Sequence, residues 1–201
     1  MLRLCFSLVA ATVLFCGCAP TGNKYYPVGN STPRISSLGF YILPPPGGDW
    51  YEKHLDNSLY YFKRTRGTSY ALTTKATELI FSKSDNHRQQ MLTYFQAQEH
   101  LLDSQKRFRN RSSSCRFITL AASSCLQYQF RYDDYGNEKK GPHPYVEVFK
   151  KGMICRHPQT SGVGIDLNYK EQSFPQMESA SYRYEGEQFI SNLNFFVPPA
   201  Y

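Results

Sequence analysis

The chain has 201 residues, a formal net charge of +7, 15% aromatic residues including 16 tyrosines, and 19% charged residues. Aromatic content this high with so few charges excludes an intrinsically disordered chain, and the length leaves room for one domain with a proper core rather than two. The basic excess favours anionic partners such as lipid headgroups or cell-wall polymers.

At the start of the chain, Arg3 precedes an apolar run from Leu4 to Phe15 that ends Cys16-Gly17-Cys18-Ala19. A run of about a dozen residues is too short for the roughly 20 needed to span a bilayer, so it reads as a cleaved export signal. Leu14, Phe15, Cys16, Gly17 and Cys18 resemble the lipid-attachment motif of bacterial lipoproteins. The resemblance implies a signal peptide at 1–17, with Cys18 as the new N-terminus carrying acyl chains. Ala19, standing where an aspartate would favour retention at the inner membrane, implies the outer membrane, with the domain facing the periplasm. The other reading is an ordinary signal peptide with Cys18 incidental.

Residues 18–37 are rich in Pro, Gly, Asn, Ser and Thr and read as a flexible tether, with the domain expected over 38–201. Leu38 to Leu43 is a short strand candidate, stopped by Pro44, Pro45, Pro46, Gly47 and Gly48, and Trp50 and Tyr51 open a second. Trp50, the single tryptophan, is expected to be a core or rim anchor rather than a ligand-stacking residue. Ser58 to Arg64 and Ser69 to Ala76, separated by a turn at Gly67, predict a hairpin.

Ser82 and Asp85 then stand at capping-box spacing. A long amphipathic helix is predicted from about Asp85 to Lys106, with Met91, Leu92, Phe95, Leu101 and Leu102 near one face. Lys106, Arg107, Arg109 and Arg111 follow, where cations favour a helix C-terminus. With Arg116 they are also the candidate binding residues.

The second half predicts strands at Cys115 to Leu120, Cys125 to Tyr132, Tyr145 to Cys155 and Val163 to Lys170, broken by Gly136, Gly141, Pro142, Pro144, Pro158 and Gly162. Phe189, Ile190, Leu193 and Phe196 predict a closing amphipathic helix between Tyr184 and Phe196 that packs on the sheet. The expected class is α+β, with antiparallel sheet covered by one long helix and a C-terminal helix. This layout, over about Leu38 to Phe196, resembles the PsbP-like sandwich fold. Locally, Gly152-Met153-Ile154-Cys155-Arg156-His157-Pro158, with Gly164-Ile165-Asp166 and Tyr169, resembles a family of uncharacterised proteobacterial lipoproteins. That family implies an address rather than a reaction.

Of the six cysteines, Cys5 and Cys16 leave with the signal and Cys18 is expected to be acylated. If the second and third of these late strands form a hairpin centred on Lys140, Cys125 faces Cys155, and export places the pair where disulfides persist. Cys115 is then free or joins two molecules; Cys115 with Cys125 is the competing pairing.

No catalytic motif stands out. Cys155 with His157 invites a thiol or metal reading, but a bridged cysteine is no nucleophile, and His54, His87, His100 and His143 have no ligand spacing with either. Gly162-Val163-Gly164 is a turn entering a strand rather than a phosphate loop. No metal, cofactor or catalytic residue is therefore expected, and nucleic acid is excluded by the address. The function read from sequence is a lipid-anchored binding or accessory module that holds an envelope protein or cell-wall polymer through tyrosine-bearing sheet and the Lys106 to Arg116 stretch. The alternative is an envelope hydrolase using His157.

Overall fold

The computed structural model describes residues 25–64, 70–82, 86–136, 143–175 and 180–196. Cys18, the signal at 1–17, Gly67, Asp85 and the turn at Lys140 lie outside these residues.

Eleven strands and two helices make an α+β architecture with antiparallel sheets. The chain runs β1 (Tyr26–Pro27), β2 (Arg34–Ile35), β3 (Phe40–Ile42), β4 (Trp50–Leu55), β5 (Ser58–Arg64) and β6 (Ala71–Ile80) into helix α1 (His87–Asp103). It continues through β7 (Phe108–Leu120), β8 (Ser123–Asp134), β9 (Val146–Arg156) and β10 (Val163–Ser173), then α2 (Ala180–Ser191) and β11 (Leu193–Phe195). The main sheet has the order β1-β4-β5-β6-β10-β9-β8-β7, and a small sheet has the order β11-β3-β2.

Alternation along the strands assigns each face a cover. Leu126, Tyr128 and Phe130 on β8 and Ile154 on β9 pack with Met91 and Phe95 of α1. The opposite face carries Met153, Ile165, Leu167 and Tyr169 and is covered by Phe189 and Ile190 of α2 and by Phe40, Ile42 and Leu193 of the small sheet. A one-residue slip would exchange these two sets, so both layers together hold the register. Gly152 is required where it stands, because a Cβ there would lie 2.5 Å from the Tyr128 ring and hydroxyl.

The β8–β9 register places Cys125 opposite Cys155, and the two are joined in a disulfide, while Cys115 is free and exposed. The hairpin at Ser58–Arg64 is present, its second strand running over Ala71–Ile80.

Three expectations change. From residue 25 on, the expected tether is attached to the body: Tyr26 and Pro27 pair with Glu52 and Tyr51, and Arg34 forms an ion pair with Glu52 at 2.9 Å. A coil-like composition still supplies backbone donors and acceptors, and the edge of β4 takes them. Helix α1 ends at Asp103, and its N-cap is Asn86, whose side chain accepts the Gln89 N–H at 3.2 Å. Arg109 and Arg111 therefore belong to β7 rather than to a helix end. Finally, α2 stops at Ser191. Leu193 passes to β11, opposite Ile42, because extended backbone there completes the small sheet.

Candidate functional site

His157 is buried, and both ring nitrogens are engaged. Its Nδ1 accepts the backbone N–H groups of Gln159 at 3.2 Å and Thr160 at 2.9 Å. The ring proton therefore sits on Nε2, which donates to the Phe196 carbonyl at 3.0 Å. Flanked by Phe40 and Phe195, the imidazole ties the β9–β10 connection to the small sheet and has no nitrogen left to serve as acid or base.

The candidate basic residues Lys106, Arg107, Arg109, Arg111 and Arg116 are exposed but do not converge. Arg109 and Arg116 are separated by seven residues of strand, about 23 Å. Each arginine already has a partner: Arg107 approaches Asp134 at 3.6 Å, Arg109 lies over the Tyr135 ring, Arg111 pairs with Asp103 at 2.9 Å, and Arg116 donates to Gln127. A register shift between Arg109 and Ser112, with Asn110 at φ 50°, interrupts the regular alternation of this stretch.

Under α2 two carboxylates gather polar partners. Lys151 and the Tyr169 hydroxyl both donate to Glu187, and Arg183 and the Tyr70 hydroxyl both donate to Glu171. Desolvation, together with the facing carboxylates, pushes the Tyr70 and Tyr169 phenols far above their usual range. Networks of this kind fix how a helix docks.

The opposite face differs. Helix α1 lies over β7 and β8, and beside it a groove of about 310 Å³ opens onto β5, β6, β9 and β10. Lys75, Lys150 and Lys170 line it, with Gln98, Leu101 and Leu102 from the helix as one wall. Lys75 lies 4.8 Å from the Tyr60 ring centroid, and Lys150 donates to Gln98 Oε1. Beneath them Asp166 is buried. Its carboxylate accepts from Tyr128 at 2.7 Å, Asn168 at 3.1 Å and Tyr94 at 3.4 Å, and burial raises its pKa above the ordinary carboxylate value.

Farther along the same face, register sets Tyr60 beside Lys53, and Phe62 beside Tyr51. The Tyr25 and Tyr51 rings lie 4.7 and 5.4 Å from Phe62, with Tyr51 and Tyr25 exposed. An exposed aromatic strip therefore continues the groove across β5 and β4.

Sequence reasoning missed the groove because its lysines lie on three strands far apart in the chain. Leu101, expected on the apolar face of α1, is 61% exposed and lines the groove instead of the core. Among the described residues no group of three or more His, Cys, Asp or Glu side chains is placed to hold a metal ion, and no helix is long and apolar enough to cross a membrane.

No protein-family model matches the chain, and no curated protein matches it in sequence.

Proposed function

We propose that this chain is a bacterial outer-membrane lipoprotein, anchored through Cys18, whose periplasmic domain is a binding or accessory module rather than a catalyst. The observation that carries the reading is the uncovered aromatic strip of Tyr25, Tyr51 and Phe62 running into the lysine-lined groove beside α1. Rigid aromatic rings offer large contact area at low entropic cost, which suits a protein partner or a cell-wall polymer. The Cys125–Cys155 bridge supports an oxidising address, since disulfides persist there and are rare where thiols are kept reduced. Kinship with the PsbP-like sandwich is part of the same proposal, resting on the sequence layout from about Leu38 to Phe196, and kinship with uncharacterised proteobacterial lipoproteins rests on the Gly152 to Pro158 segment with Gly164, Ile165, Asp166 and Tyr169.

Two measurements test this. Replacing Cys18 with alanine should release the protein to the soluble periplasmic fraction; unchanged membrane association overturns the anchor. A photocrosslinking side chain at Tyr51 should capture one reproducible envelope partner that the same group at Arg116 does not. Identical patterns from both positions overturn the module.

A further inference from the structure

Lys150 on β9 stands directly opposite Lys170 on β10, and Lys75 on β6 stands opposite Asn168, two residues along β10 from Lys170. Like charges directly opposed across a sheet are destabilising, so the arrangement works against the fold unless something answers it. On the other face the lysines are answered: Lys63 by Glu185 and Lys151 by Glu187, each at 2.8 Å. Among the described residues neither Lys75 nor Lys150 has an ion-pair partner, and no acidic side chain lines the groove. The nearby carboxylate of Asp166 is occupied by three neutral donors. Burial, together with Lys75 and Lys170, pulls the Lys150 ammonium below its ordinary pKa, while Asp166 opposes that shift.

A second observation concerns Gln98 at the helix wall. Its Oε1 accepts from Lys150, but its Nε2, buried near the Tyr128 hydroxyl, makes no hydrogen bond of ordinary geometry. An amide donor left this way destabilises the fold unless an acceptor arrives. The groove therefore holds excess positive charge and an unused N–H donor, and its lining also carries Leu101, Leu102, Phe130 and Tyr132.

We propose that this groove binds a phosphate monoester carrying an apolar or aromatic group, with the phosphoryl oxygens between Lys75, Lys150 and Lys170 and the apolar part against Leu101, Leu102 and Tyr132. A phosphate monoester brings close to two negative charges and three acceptor oxygens, which matches clustered ammonium groups and an amide donor better than a single carboxylate does. The volume lies at the small end of the range for ligand pockets, so the site takes a small molecule or the phosphorylated end of a larger one. This inference rests on the binding-module reading and names its ligand class.

The test is fluorescence titration of the full chain in neutral-detergent micelles with 1-naphthyl phosphate, beside 1-naphthol and inorganic phosphate. Saturable binding of the ester is expected, at least tenfold tighter than either control. Lys150→Gln and Lys75→Gln should each weaken it at least tenfold, while Arg116→Gln leaves it unchanged. Trp50 emission reports whether each variant has folded, and the exposed Leu101→Asp variant gives an independent check by weakening the ester with the lysines intact. No saturable binding, or equal binding by both folded lysine variants, overturns the site. Equal affinity for inorganic phosphate overturns the apolar half of the proposal. Displacement of the probe by dihexanoyl phosphatidic acid but not phenyl phosphate assigns the ester to a lipid headgroup, and the reverse assigns it to a soluble ester; either retains the site. Because the titration does not depend on Cys18, its failure is distinguishable from failure of the anchor.

Discussion

The ammonium of Lys63 on β5 lies 2.8 Å from both carboxylate oxygens of Glu185 on α2, and the same carboxylate accepts the Trp50 indole N–H at 2.8 Å. One α2 side chain thus ties β4 and β5 to the helix. Replacing Glu185 with alanine leaves a largely buried cation and an indole donor with one partner fewer. Breaking such a pair is expected to cost about 3 kcal/mol. Denaturant unfolding followed by Trp50 fluorescence should show the lower midpoint together with a red-shifted native emission; a change below ~1 kcal/mol with no shift contradicts the role.

Cutting the covalent link between β8 and β9 affects the unfolded chain most. For a sequence separation of 30 residues the chain-entropy model gives about 3.6 kcal/mol. The Cys125→Ala, Cys155→Ala double variant should lose stability of that order against the oxidised protein and far less against the reduced one. Equal deficits in both conditions would assign the loss to packing rather than to the crosslink.

The β7–β8 turn carries strain that substitution should relieve. Leu120 pairs with Ser123, and the two residues between them, Ala121 and Ala122, have φ of 45° and 62°. Two-residue turns of this shape favour Asn-Gly, and an L-residue with a Cβ in this left-handed region costs about 1 to 2 kcal/mol. Ala122→Gly should therefore raise stability by about 1 kcal/mol, and Ala121→Asn should add to it. Thermal unfolding at neutral pH measures both, and a lower midpoint in Ala122→Gly refutes the strain.

High pH should unfold the protein through its tyrosines. Burial raises Tyr132 to about 12 and lifts Tyr128 well above the ordinary phenol range. A phenol whose pKa is higher in the folded state stabilises fully below the unfolded value. That contribution is lost as pH rises from about 10 through the folded value. Stability should thus be level on this account up to about pH 10 and fall beyond it. Absorbance at the phenolate band should show an early reversible fraction from exposed rings and a late fraction that appears only with unfolding. A single transition near pH 10 would contradict the burial.

Local signals made much of this fold legible. A turn centred on Lys140 predicted the β8–β9 register and the cysteine pair, and alternation of Leu126, Tyr128 and Phe130 against Ile154 and Val148 agreed with it while leaving slips of two open. The β7–β8 turn was hidden, since Ala-Ala carries none of the residues such a turn prefers. The start of β7 was hidden too: Arg109 to Ser114 lacks β-branched and aromatic residues and is held as strand by pairing with β8. The groove was illegible for a different reason. Lys75, Lys150 and Lys170 are ordinary lysines one at a time, and only the crossing of β10 back to β6 makes them neighbours.

The described chain enters the main sheet at one edge, through β1, which is held to β4 at two register positions, whereas the bridged β8 and β9 pair at ten. Any pull delivered through residue 25 therefore reaches the shortest ladder first and the crosslinked interior last. Peeling of β1 acts as a mechanical fuse: it lengthens the free chain by a few residues while the groove, which begins two ladders from the load at β5, keeps its shape.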